Sequence, residues 1–502
     1  MPSSSSSLDV ELTAVFNIQD MGHDGSHDLE TGRIKEESLL VDWSGPDDPE
    51  NPQNWPARKS FGHVIIVAVL SMIVNIAATA VAPGIPDLVE DFHIQDTTVA
   101  TLAVTIYLLG FAFGPLFISA FSEMYGRLVV YQTSNIVFIA FIVGCAVSQN
   151  TAQYFVFRFI SGFAGSAPLT IGGGTIADVL PIEKRGLGSA LFGLGPLLGP
   201  VVGPVVGGFL SAGPGWRWTF WLVAILSGIA SIMTFVFMRE THPNILLERR
   251  AARLRRETGN PAIRSKFDNG LEGRQVLFAS LIRPTKLLIF SPVVLIMSLY
   301  VALVFGLLYL LFASFSFLFS DTYHFGVGVS GLAYLGIGVG EIVGLVLFGA
   351  LSDKILQKRM AADQTNEHKP EYRLIMMIWF SPFIGGGLFL FGWTAQYQIH
   401  WIVPILGTFL VGFGAFFVIL PSQLYLVDLF GSEAAASALG ASTLLRSLFG
   451  AFLPVAGPSL FNTLGYGWGN TLLGFLALGF AAAPVFFYKR GEWLRSKTVV
   501  KF

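Results

Sequence analysis

Charge is scarce in this chain. Of its 502 residues only 13% are Asp, Glu, Lys or Arg, against roughly 25% in a soluble domain, and 53% are hydrophobic. That balance excludes an ordinary soluble globule and points to a polytopic membrane protein. A net charge of −2 gives no basis for holding nucleic acid by phosphate neutralisation. The single cysteine, Cys145, lies in an apolar run, so neither a disulfide framework nor a thiolate metal site can be built. No Gly-Lys dipeptide occurs, which removes a Walker-type phosphate loop and leaves a proton gradient, with no cofactor, to drive any work. The eight histidines are scattered, and no nucleophile–base pair or metal-ligand cluster stands out, so an enzyme is not expected. The N-terminus begins with the run Ser3 to Ser7 and has no basic-then-apolar leader.

What the chain does have is long apolar runs. Crossing a bilayer takes about 20 residues. Twelve such spans are read at 61–83, 98–119, 130–148, 153–177, 187–211, 218–238, 291–319, 331–351, 374–394, 400–422, 434–458 and 468–488. They predict an all-α membrane protein of two six-helix bundles, 61–238 and 291–488. A cytosolic, mostly disordered tail (1–60), a central loop (239–290) and a C-terminal tail (489–502) complete it. Every Lys and Arg except Arg158, Arg217 and Arg446 lies in the tails, the central loop or the loops after even-numbered spans. The positive-inside bias therefore puts both termini in the cytosol. Within the central loop, Arg249, Arg250, Arg253, Arg255 and Arg256 predict a helix facing water and anionic lipid.

A faint repeat joins the two groups. Gly114 precedes Ser122-Glu123 in the first, and Gly344 precedes Ser352-Asp353 in the second, each at the end of the second span of its group. Equivalent placement favours duplicated halves.

Span five carries the densest pattern. Gly195-Pro196, Gly199-Pro200, Gly203-Pro204 and Gly207-Gly208 recur every four residues, with only Leu and Val between them. On a helix this step stacks the glycines along one face. In water such a helix would not form, since each interior proline costs about 3 kcal/mol and each glycine about 1. In lipid it persists, and gains a smooth face against which a second helix can lie very close.

Three elements carry a family resemblance. The loop after span two reads Gly114-Pro115 … Ser122-Glu123-Met124-Tyr125-Gly126-Arg127. Span four holds Arg158-Phe159-Ile160-Ser161-Gly162, and span five Gly199-x-x-x-Gly203-Pro204-x-x-Gly207-Gly208. With these the chain resembles the major facilitator superfamily, and within it the twelve-span drug:proton antiporters. Asn51-Pro52-x-Asn54-Trp55-Pro56, Asp178 and Arg283-Pro284 are similar to the fungal branch that exports drugs, polyamines and metabolites. Leu128, where the family usually has a second basic residue, and Ser161, where many members have glutamine, depart from it. The resemblance implies alternating access of a small organic solute, most simply by a monomer in the plasma membrane, with the vacuolar membrane as the other site. Proton symport or facilitated diffusion of a nutrient, and a receptor that no longer transports, are the rival readings.

Candidate residues follow. Glu123, Gly126 and Arg127, with Ser352 and Asp353 in the second half, would form gating loops, Glu123 and Arg127 pairing with each other or with Asp178. Arg158, inside span four, would repel a proton or bind an anionic group, or would donate to carbonyls of span five. Glu341 in span eight and Arg446 in span eleven are deep, opposite charges. They form either a coupling pair that protonation opens or a permanent tether. Phe305, Tyr309, Phe312 and Ser316 share one face of span seven and suit flat or amphiphilic solutes. Asn75, Thr79, Phe413, Phe417 and Gln423 are further cavity candidates. His63 is expected at the interface, outside any proton relay.

Overall fold

The computed structural model describes residues 40–267, 273–362 and 369–497. Spans one to six run through Ala57–Thr79, Thr97–Tyr125, Arg127–Val147, Thr151–Val179 (broken at Ser166 before Pro168), Ile182–Ala212 and Arg217–Phe237. Asp96 and Asn150 start spans two and four by accepting the N–H of Thr98 and Gln153, so these helices begin where a capping side chain is present. A short helix, Pro243–Thr258, and a second, Gly273–Phe290, connect to span seven, Pro292–Tyr323. Span eight is Leu335–Ala362 and span nine is Leu374–Phe380 with Phe383–Gln396.

Among the described residues eleven helical runs are long and apolar enough to cross a bilayer. The last of them, Ala435–Gly491, is two crossings. Its 57 residues would reach roughly 85 Å if straight, against a hydrocarbon core of about 30 Å. Gly465 (φ 69°, ψ 171°) breaks it, and a Cβ added to Gly469 would lie 2.9 Å from the Phe461 ring, so the chain turns back there. Gly431 (φ 62°, ψ −171°) breaks the preceding helix, Ile402–Phe452, in the same way. Gly126 (φ 97°, ψ 167°) separates spans two and three with similar angles. Only glycine occupies that backbone region readily, and it reverses the chain without a loop. Spans ten, eleven and twelve are therefore 402–430, 432–464 and 466–491, which makes twelve spans among the described residues.

The two halves repeat at atomic detail. A Cβ on Gly110 of span two would sit 2.0 Å from Phe159 O and 2.7 Å from Phe163 N of span four. On Gly340 of span eight it would sit 2.2 Å from Phe409 O and 2.8 Å from Phe413 N of span ten. Reciprocally, Gly162 lies against Tyr107 O and Gly412 against Ile337 O. The same three helix-to-helix contacts occur twice.

Within the tail expected to be mostly disordered through residue 60, residues 40–56 take up defined structure, and residues 1–39 lie outside the described residues. Leu40–Val41 pairs in parallel with Arg264–Ser265 of the central loop. Asp48 caps the turn at Ser44 and Glu50 and meets Arg250 at 2.8 Å, both side chains being buried. Gln53 donates to Ala177 O at the end of span four. The tail and the central loop thus form one cap on the first half, at the end of the bundle that also carries Arg127 and Asp178.

Candidate functional site

At this basic end, Gly126 and Arg127 turn the chain from span two into span three. Arg127 Nε donates to Asp178 Oδ2 at 3.1 Å and its Nη1 donates to Ser122 Oγ at 2.8 Å. Asp178 and not Glu123 is its partner. Glu123 makes no ion pair among the described residues and feels Arg127 and Arg283 only at longer range.

Glu240, unremarked in the sequence reading, organises the cluster. Its buried carboxylate accepts the N–H groups of Arg127 (2.9 Å), Leu128 (3.2 Å), Thr241 (2.9 Å) and His242 (2.9 Å). The first two are orphan donors at the start of span three, where a negative charge also meets the helix dipole. A side chain at Gly126 would collide with this carboxylate at 2.3 Å. The departure at Leu128 costs the cluster a basic side chain, but its backbone N–H still takes part. A lone acid just past an apolar span, before Pro243, was the available signal.

His242 is enclosed by the same turn. Burial, with Arg127 nearby, pushes its imidazole down to about 4 from 6.5. Its folded pKa lies below the unfolded one, so the opened turn binds the proton more readily. Stability conferred by the turn is therefore present above about 6.5 and lost as pH falls toward 4, by on the order of 3 kcal/mol. Amide exchange at Arg127 and Leu128, corrected for intrinsic rate, should accelerate between pH 7.5 and 4.5. In His242→Gln that acceleration should largely vanish.

The second half has its own pair, which the sequence reading missed. Arg373, opening span nine, donates through Nε to Asp428 Oδ2 at 3.0 Å, near the end of span ten. Asp428 stands in span ten where Asp178 stands in span four, in the same register as the repeated Phe-Gly contacts. Ser352 is half-buried and Asp353 exposed at the end of span eight, and neither joins an ion pair among the described residues.

Span five packs on both neighbours. Gly195, Gly199, Gly203 and Gly207 lie against Ala68, Asn75, Thr79 and Ala80 of span one, in the same half. Pro204 and Gly208 lie against Val327–Gly331, leading into span eight of the other half, and Val201 against Gly338. Asn75 and Thr79 belong to the first seam, each also donating to the carbonyl four residues back. At this opposite end Ser316 Oγ donates to Ala82 O at 2.9 Å, and Phe312 stacks on Tyr334. Phe312 and Ser316 are consumed in that seal.

Arg158 is fully buried. It donates to Ala77 O (2.8 Å) and Ala78 O (3.3 Å) and rests on the Tyr107 and Phe220 rings. These carbonyls sit in the last turn of span one, where no intrahelical donor remains. The carbonyls it serves are those of span one, not span five. His63, at the start of span one, is likewise buried: its Nδ1–H donates to Lys59 O, and its Nε2 accepts the N–H of Arg239, joining spans one and six.

Glu341 and Arg446 are both half-buried and do not pair with each other or with any other charge among the described residues. Arg446 lies over the Phe305 ring at 5.3 Å, its Nε buried without a partner. One turn further, Gly450 lies against Leu108 of span two and Phe305. Glu341 is one turn beyond Gly338, which lies against span five. Tyr309 feels both charges, and Arg158. Phe305 and Tyr309, in ring contact at 5.0 Å, thus stand beside the unpaired Arg446, with the unpaired Glu341 within electrostatic reach of Tyr309. Phe413 and Phe417 are elsewhere: they pack with Phe348 and Phe380 between spans eight, nine and ten. Gln423 is half-buried in span ten.

A profile of the Major Facilitator Superfamily matches residues 67–454. Over 456 residues the chain is 56% identical to MFS transporter prlG of a fungal species (strain NRRL 50135), covering 91% of this chain and 96% of that protein. It is 50% identical to the MFS-type transporter phm3 of Pyrenochaetopsis sp, covering 96% and 99%. Efflux pump radE of Floropilus chiversii is 46% identical, covering 91% and 85%. A solved D-xylose-proton symporter shares the fold at TM-score 0.63 and 14% identity, over 84% of this chain and 98% of that one. This chain belongs to the Major Facilitator Superfamily and is a multi-pass membrane transporter of the fungal kind.

Proposed function

We propose that the chain is a proton-coupled antiporter that exports small organic molecules, such as secondary metabolites or xenobiotics, by alternating access. The observation that carries this reading is Glu341: an acid without a counter-ion, deep in the fold, on the seam between two repeated halves. An intramembrane acid without a partner is suited to exchange a proton. Similarity to a protein named an efflux pump supports the outward direction. With the seam closed at the end opposite the basic cap, the cavity would open toward the cytosol, where we place that cap and both termini. A monomer in the plasma membrane is the simplest form.

The test uses purified protein in vesicles set acid inside, with internal pH followed by pyranine and a fungal culture extract supplied outside. Antiport requires that solutes identified by mass spectrometry enter as protons leave. Entry only from an acid exterior would identify a symporter, pH-independent entry a facilitator, and binding without flux a receptor. Glu341→Gln should cut the pH-dependent part of the exchange at least tenfold. Full pH dependence in that variant would remove Glu341 from coupling.

A further inference from the structure

We infer that the central site binds a bipolar solute: an apolar, ring-bearing body with an anionic or acceptor oxygen at one end and a cationic or donor nitrogen at the other. This deepens the antiport reading and rests on it. Arg446 and Glu341 are opposite charges that both act on Tyr309, yet neither pairs with the other among the described residues. Arg446 is held over Phe305 on the span-eleven side, and Glu341 lies one turn from the span-five seam on the other. Tyr309 stands within electrostatic reach of both.

The guanidinium has a buried Nε with no acceptor and forms no hydrogen bond through its outer nitrogens among the described residues. Five fixed donors without an acceptor seek a carboxylate or carbonyl oxygen. Glu341, when ionised, is acceptor-only and seeks an N–H or O–H donor. Beside Arg446 the half-buried Phe305 ring offers flat apolar area to a ring system, backed by the buried Tyr309. A singly charged solute would satisfy one wall and leave the other charge unmatched, a costly arrangement out of water. A solute with both ends satisfies both.

The same chemistry gives the sign of the coupling. A proton on Glu341 takes away the negative charge that holds the donor end, leaving only a weaker neutral acceptor, so proton and solute compete. Arg446 and Arg158 are the other charged groups within electrostatic reach of Tyr309. Neither of them offers a second anionic acceptor.

Binding is measured in nanodiscs, without any gradient, using 6-(aminomethyl)-2-naphthoate, 2-naphthoate and 2-naphthylmethylammonium as size-matched fluorescent probes. The zwitterion should bind about tenfold more tightly than either singly charged probe. Arg446→Gln should abolish that advantage and rank the cation above the anion. Glu341→Gln should do the reverse, and Arg446→Lys should keep the wild-type order, showing that the protein is folded. Equal binding of the three probes, no binding by any, or an unchanged ranking in the two Gln variants overturns the inference. Because no flux is read, a failure here leaves proton exchange in vesicles to be judged separately, and the converse holds too.

Discussion

Gly207→Ala will lower stability by about 3 kcal/mol and reduce transport at least a hundredfold. The new methyl would lie 1.8 Å from Ala80 O and 2.7 Å from Ala80 C. Those are backbone atoms of the chain leaving span one, so no side chain can swing aside. Overpacking a tight interior costs about 1–3 kcal/mol even where side chains can adjust. Here one helix must shift bodily. Its far side has little room to yield either, because a Cβ on Gly208 would lie only 3.1 Å from Val327 O and 3.2 Å from Gly328 O at the approach to span eight. The displaced helix would therefore disturb the seam between the halves as well as the seam within one. Gly193→Ala, on the same helix, is the control, since a Cβ there meets nothing within 4 Å. Thermal unfolding and vesicle flux should separate the two variants clearly. Equal behaviour of both would mean that the glycine face is not what sets how closely span five approaches.

How much of this was legible beforehand follows from what an apolar helix can reveal. The crossings were readable because length and hydropathy alone define them. The two glycine turns at Gly431 and Gly465 merge neighbouring helices without a polar loop, yet the spans on either side were still separable in the sequence. The repeat was legible at Gly114 and Gly344, and the packing of Gly110 and Gly340 extends it. Rotation about each helix axis was not legible. Span one is apolar nearly all round, so no stripe marks the face that meets span five or the carbonyls that take Arg158. For the same reason depth suggested that Glu341 and Arg446 would pair, whereas they form no ion pair among the described residues and both act on Tyr309. Arg373 and Asp428 escaped notice because the repeat was followed along spans two and eight only. Carrying it to spans four and ten would have aligned Asp428 with Asp178.

Glu240→Ala should be the most damaging change outside the spans, lowering stability by about 3–5 kcal/mol, with Glu240→Gln intermediate. The carboxylate is buried and accepts four backbone N–H groups from two segments. Alanine leaves all four without a partner, and a buried orphan donor costs about 1–3 kcal/mol, reduced here by whatever water enters. Glutamine keeps one acceptor oxygen, but it loses the negative charge at the start of span three and sets an NH2 against backbone donors. The readout that separates a cap from mere filling is local. Amide exchange at Arg127 and Leu128 should rise a hundredfold or more in Glu240→Ala, while Asp428 and Arg373 in the other half stay paired. Stability of Glu240→Gln within about 0.5 kcal/mol of the parent would show the charge to be idle. The position explains the severity. Glu240 ends span six and begins span three at once, and Arg127, which it holds by the backbone, holds Asp178 of span four by the side chain. Any movement of the connector after span six must therefore be felt at the Arg127–Asp178 pair, three spans joined through one carboxylate.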